Sequence, residues 1–250
     1  VRLAILVASQ PQCTSAKIAG RHAAGERQRA IDVRTHRVRW SFRVHSKIPG
    51  SLALFEGVVY VGSYGARVYA LDAITGDPLW VARVDSGLFA ALSTVGFYAT
   101  PAIAYGRVYL GGFDGREYAL DARSGKVLWA RRLGGRIYSS AAVYRRTVYV
   151  GSFDEHIFYA LDAATGVTRW TFRHTDGPII GSPTVLGGLV YFSTLAHTTY
   201  ALDAQTGRLV WTFPDGEYSP VVADAHRLYL VGLGRIYGLE PVDSPEALTS

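Results

Sequence analysis

The sequence predicts an all-β fold, a β-propeller of four-stranded antiparallel blades with about five blades recognisable, and three observations carry that expectation. The five tryptophans, Trp40, Trp80, Trp129, Trp170 and Trp211, recur at spacings of 40, 49, 41 and 41 residues, a period expected of propeller blades. Four of them close one phrase, which reads Tyr69-Ala-Leu-Asp-Ala-Ile-Thr-Gly-Asp-Pro-Leu-Trp80 in its first full copy and begins again at Tyr118, Tyr159 and Tyr200. Ahead of each phrase stand short runs rich in Val, Tyr, Leu and Phe, bounded by Gly and Asp, which read as strands.

Taken in chain order, residues 1–28 form a basic N-terminal segment read as frayed or as a linker. Its apolar run, residues 3–8, is shorter than the ~7–15 residues of a secretory signal, and no small residues precede Cys13 as a lipoprotein site would show. No convincing signal peptide is therefore read. The chain contains no methionine and starts at Val1, so it is expected to be a piece of a longer protein. The propeller is assigned to residues 29–241 and a tail to residues 242–250.

A degraded copy of the phrase ends at Trp40. Each unit then supplies a strand such as Val59-Tyr-Val-Gly-Ser63 or Val148-Tyr-Val-Gly-Ser152, and ahead of these lies a third recurring piece, Thr100-Pro, Ser140-Ala, Ser182-Pro and Ser219-Pro. Asp72, Asp121, Asp162 and Asp203 end the strand that follows. Their carboxylates suit a turn, accepting from N–H groups two residues on, and the glycine four residues later supplies a left-handed residue. Five copies, counting Asp32 of the degraded phrase, point to turns and not to one active site. Each tryptophan is expected to wedge between blades, with its indole N–H needing an acceptor when buried. Residues 212–240 give three strands of a fifth blade. The strand at residues 37–43 would complete it and close a five-bladed ring; because residues 29–33 also read as a third strand, the alternative is an open arc of a larger propeller.

Several function classes lose support on composition. The net charge of +6 sits in the first 44 residues, while residues 45–250 carry 17 basic and 18 acidic side chains. A folded body without a basic excess is not expected to bind nucleic acid. No apolar run reaches the ~18 residues of a spanning helix. A single cysteine makes neither a disulfide nor a cysteine-ligated zinc site within the chain. A monomer is expected.

Three features are candidates for function. The long spacing before Trp129 marks an insertion of about eight residues within residues 85–98, by comparison with the period. Its Leu88, Phe89, Leu92, Phe97 and Tyr98 are more apolar than a solvated loop needs, so they are candidate partner or ligand contacts, or else a plug folded over the channel. His156 and His197 stand three residues before Tyr159 and Tyr200 and, with Asp154 and Glu155, offer metal-ligand chemistry; a polar turn is the plainer reading. Tyr64, Phe113 and Phe153 follow the second strand at equivalent turns, and a ring of them near one face is a possible binding surface.

The repeated phrase, with Val-Tyr-Val-Gly-Ser upstream, resembles the tryptophan-docking repeat of the pyrroloquinoline-quinone (PQQ) enzyme-like propellers, across roughly residues 29–240. That resemblance implies the propeller fold and several functions. Relatives include quinoprotein alcohol and glucose dehydrogenases, the propeller lipoprotein of the outer-membrane β-barrel assembly machine, and sensor domains of bacterial membrane kinases. The dehydrogenases hold PQQ and calcium with Glu and Asn ligands, a catalytic aspartate and, in the alcohol dehydrogenases, adjacent cysteines; this chain has no asparagine and one cysteine. The expectation is therefore a non-enzymatic binding or scaffold module without cofactor, contacting a protein or small ligand through loops at one face. A PQQ-dependent oxidoreductase is the runner-up, and the sensor domain of a bacterial membrane kinase is the third reading. A place in the cell envelope or outside the cytoplasm follows from the resemblance alone.

Overall fold

The computed structural model describes residues 14–16, 26–84, 96–216, 221–223 and 227–239. Among them every regular element is a β-strand. Four units are complete antiparallel sheets with strands in sequence order. The first blade is Leu52–Phe55, Val58–Gly62, Arg67–Asp72 and Pro78–Arg83, with Thr14–Ala16 added against Leu52–Phe55. The second is Ala102–Ala104, Arg107–Gly111, Arg116–Asp121 and Val127–Arg132. The third is Ala142–Tyr144, Thr147–Gly151, Ile157–Asp162 and Thr168–Arg173, and the fourth Thr184–Leu186, Leu189–Ser193, Thr199–Asp203 and Leu209–Phe213. The first strands of successive blades adjoin one another. They form the inner side of the blade array, as in a propeller.

Burial follows this layout. The second and third strands of the first three blades are almost wholly buried because neighbouring blades cover both their faces, whereas the outer strands mix half-buried and exposed residues. Aromatic and aliphatic side chains from adjacent blades interleave; Phe158 of the third stacks on Phe192 of the fourth with centroids 4.2 Å apart.

The repeated phrase locks each blade to the next. Asp162 Oδ1 accepts the N–H groups of Ala164 and Thr165 at 3.0 and 2.9 Å, and the Gly166 N–H closes the turn onto the Asp162 carbonyl at 2.8 Å. Asp72, Asp121 and Asp203 make the same bonds. Arg169, at 2.7 Å from Asp162 Oδ2, together with these donors, outweighs partial burial and holds the Asp162 carboxyl down at about 2. The indole of the preceding blade lies on the turn glycine: a Cβ on Gly166, whose φ is +70°, would stand 2.8 Å from the Trp129 ring. Each indole N–H then donates to the carbonyl after the turn aspartate, Trp40 to Ala73, Trp80 to Ala122, Trp129 to Ala163 and Trp170 to Ala204, at 2.9–3.2 Å. Tyr60, Tyr109 and Tyr149 hydroxyls donate to the last three of those carbonyls. The turn that would receive Trp211 lies outside the described residues.

The ends differ from the closure expected through residues 37–43. Val38–Val44 pairs with Glu26–Ile31 as a two-stranded sheet, and Val222–Ala223, Leu228–Gly232 and Arg235–Leu239 form a separate sheet of three. The competing third strand took the position beside Val38–Val44. The two are third and fourth strands of one unit, joined by the same Asp32 turn and docked by Trp40 onto the first blade.

Candidate functional site

Antiparallel strands send two kinds of connection to the same face of the sheets: the turn between second and third strands, and the linker from one blade's outer strand to the next blade's first. Backbone hydrogen bonds join them. The residue just past the second strand donates to the linker entering its own blade, Tyr64 to the Lys47 carbonyl, Phe113 to Gly96, Phe153 to Arg136 and Leu195 to Pro178, at 2.9–3.0 Å. An aromatic residue there must lie beside whatever the linker carries.

In the first three blades this produces a continuous aromatic row. Tyr64 packs on Phe113 with centroids 5.3 Å apart, Phe113 on Tyr138 at 5.1 Å, and Tyr138 on Phe153 at 4.8 Å. Tyr98 joins from its linker, 5.2 Å from Tyr138 and 6.4 Å from Phe113. These are separations at which tilted and edge-to-face rings attract. Tyr64 and Tyr98 remain 36% and 38% exposed, so the row is a surface. Arg136 lies over the Phe153 and Tyr138 rings at 5.1 and 5.7 Å. Its Nε and Nη2 bind Asp154 at 3.1 and 2.7 Å, which raises the guanidinium pKa and lowers that of the carboxyl. Burial, with Tyr98 and Tyr138 nearby, raises the Tyr64 phenol, keeping it a neutral donor. The row therefore offers flat apolar bodies, hydroxyl tips and one cation already paired.

A second polar group lies at the junction of blades three and four. Asp176 accepts from the Tyr200 hydroxyl and from Thr194 at 3.3 Å, and pairs with His174 Nδ1 at 3.1 Å. Burial opposes ionisation of Asp176, but hydrogen bonding from the Thr198 and Tyr200 side chains, with His174 beside it, outweighs burial and lowers the carboxyl. His174 is buried with Nε2 unpartnered, and burial lowers its pKa. It occupies the register of Val44, Val84 and Leu133, core positions four residues past Trp40, Trp80 and Trp129.

Of the sequence candidates, Leu88, Phe89 and Leu92 lie outside the described residues. Phe97 is fully buried in the core between blades one and two, edge-on to Tyr118 at 5.9 Å, and offers no contact surface. Tyr98 is in the row. His156 and His197 are not brought together: His156 stacks on His174 at 5.8 Å, whereas the His197 carbonyl accepts the Gly216 N–H. Both adopt left-handed backbone, φ 53° and 65°, at the position taken by Ala66, Gly115 and Gly234 in other units. That is a turn position. Among the described residues no three His, Cys, Asp or Glu side chains gather to hold a metal ion.

Sequence reasoning missed Arg136 and Tyr138, because linkers do not repeat and only the fold aligns them with Phe113 and Phe153. It also missed Glu117, which is fully buried. There a signal existed, since Glu117 stands in the column of Val68, Phe158 and Thr199, each one residue before the phrase tyrosine.

Repeated blades with docked tryptophans define a PQQ-like propeller, and the comparisons agree. The chain belongs to the family described as outer membrane protein assembly factor BamB, whose model matches residues 25–152 and 114–241. No curated protein matches it in sequence. BamB from Moraxella catarrhalis has the same fold, with a TM-score of 0.66, 22% identity, and coverage of 78% of this chain and 61% of that one. Quinohemoprotein alcohol dehydrogenase from Comamonas testosteroni is similar at a TM-score of 0.64 and 19% identity, over 83% of this chain and 42% of that one. A europium-containing methanol dehydrogenase follows at 0.62 and 18%, over 73% and 44%. The chain thus spans about three fifths of the BamB structure's length and less than half of the dehydrogenases'.

Proposed function

We propose that this propeller is a non-catalytic binding and scaffolding module of outer-membrane protein assembly in the cell envelope, holding a protein partner on the aromatic row. The observation that carries the reading is the row itself: Tyr64, Tyr98, Phe113, Tyr138 and Phe153 come from three blades and meet on one face. Tyr, Phe and a stacked Arg are the residue types in which interface energy concentrates, because rigid rings bury large areas at small entropic cost. Membership of the BamB family supports the assembly role. The dehydrogenase reading shares the fold likeness, but the chain has no asparagine to serve as the calcium ligand that the resemblance to those enzymes implies.

The test is binding of the purified chain to the outer-membrane protein assembly complex of its own organism, with Tyr98→Ala, Phe113→Ala and Tyr138→Ala as variants. Truncating an interface anchor costs about 2 kcal/mol, so about 30-fold weaker binding is expected from the strongest of the three. Unchanged affinity in three variants that retain wild-type stability would remove the row from the binding site.

A further inference from the structure

Beneath the row lies a carboxyl group with nothing to bind. Glu117, at the start of Arg116–Asp121, is completely buried and neither of its oxygens has a hydrogen-bond partner. Ile137, the residue between Arg136 and Tyr138, is also fully buried and anchors their linker. A Cβ added to Gly111 would collide with the Ile137 side chain and stand 3.1 Å from Glu117 Oε2, so the carboxyl and the anchor flank the same glycine. The Ile137 N–H donates to the Gly112 carbonyl at 3.2 Å and completes the seat. The next junction repeats the arrangement with Ile179 against Gly151, but there the register of Glu117 is held by Phe158, which stacks on Phe192.

We propose that the protonation state of Glu117 governs how firmly the linker carrying Arg136 and Tyr138 is seated, which makes the aromatic row responsive to pH. The proposal rests on the reading of that row as the binding face, and names its regulation. Among the described residues no counter-charge acts on Glu117. Arg131 stands opposite Glu117 in the strand register but its side chain is exposed. Tyr109, on the adjoining strand, donates its hydroxyl to Ala163, and Tyr159 of the third blade donates to Leu133. Arg136 is paired with Asp154. Burial alone therefore acts on Glu117, and it raises the pKa well above the ordinary glutamate value. The seated state holds a proton that an unseated, hydrated carboxyl releases to solvent. Water reaches the carboxylate when Ile137 lifts, and Arg136 and Tyr138 lift with it.

Linkage sets the size of the effect. Between the ordinary glutamate value of about 4.3 and the raised value of the seated state, the unseated population grows about tenfold per pH unit. Amide hydrogen exchange of the full chain, corrected for intrinsic rates, reads this without any partner. Protection of the Ile137 N–H is expected to fall about tenfold per pH unit in the wild type and to stay flat in Glu117→Gln and Glu117→Leu. The Leu195 N–H, bonded to Pro178 at the next junction, lies beside the His174–Asp176 pair and is expected to show one and the same pH dependence in all three chains. An equal fall at Ile137 in wild type and variants, no fall in any, or a difference at Leu195 between wild type and variants as large as that at Ile137 would overturn the proposal. Because no partner is present, these outcomes are independent of the alanine test of the row.

Discussion

Replacing Trp129 with alanine is expected to lower the free energy of unfolding by about 3 kcal/mol, the range for removing a large aromatic from a packed site. The indole lies on the Gly166 turn of the next blade, donates to the Ala163 carbonyl at 3.2 Å and packs near Tyr109 with centroids 5.9 Å apart. Its loss opens the seam between blades two and three. Trp129→Phe separates the contributions: it keeps most of the wedge and loses the N–H, and because Tyr109 still donates to Ala163 at 3.1 Å, about 1 kcal/mol is expected. Urea denaturation with two probes checks both figures. In a repeat architecture the transition can also divide, since stability is a sum of unit and interface terms. A loss below about 1 kcal/mol for Trp129→Ala would mean that the docked indoles do not hold the blades together.

The second large effect runs in the opposite direction. Glu117→Leu is expected to stabilise the chain by about 2 kcal/mol near pH 4, because a buried polar group without partners costs about 1–3 kcal/mol, and by more at pH 7. The pH dependence has a definite sign. In the folded chain the Glu117 pKa is raised by burial, so above about pH 4.3 the unfolded chain binds fewer protons than the folded one, and stability falls as pH rises. The margin between Glu117→Leu and wild type should therefore be smallest near pH 4 and widen towards neutrality. Glu117→Gln, which keeps the shape, should lose the pH dependence of this site while keeping much of its polar cost. Chemical denaturation at several pH values provides the measurement; a margin that does not vary with pH would show that Glu117 does not titrate between the two states.

These two sites also mark what was legible in the sequence. The strands, the Asp–Gly turns and the tryptophan wedge could be read because each is a local pattern written four times, and the repetition itself said that one solution was being reused. Tyr64, Phe113 and Phe153 were legible for the same reason. Arg136, Tyr138 and the role of Tyr98 were not, because the linkers differ in length and content, and their place in the row depends on backbone bonds such as Phe153 N–H to the Arg136 carbonyl. Phe97 misled because an apolar residue next to an insertion reads equally as a contact or as core; its bridge to Gly112 seats it in the core. Glu117 stands in a column held elsewhere by Val68, Phe158 and Thr199, and His174 in one held by Val44, Val84, Leu133 and Asp215, so each puts a titratable group where most copies have an apolar one. Such breaks are visible once the copies are aligned on the phrase tyrosine or the tryptophan, yet without the fold nothing says that either side chain is sealed.

The central claim is that the face built from second-to-third turns and blade linkers is where a protein partner sits. Placing a photo-crosslinking residue at Tyr98 or Phe113, and for comparison at Thr75 or Ser124 in the Asp–Gly turns of the opposite face, tests it in the cell. The account predicts cross-links to subunits of the outer-membrane protein assembly complex from the first pair and none from the second. Cross-links from the opposite face alone, or equally from both, would contradict it.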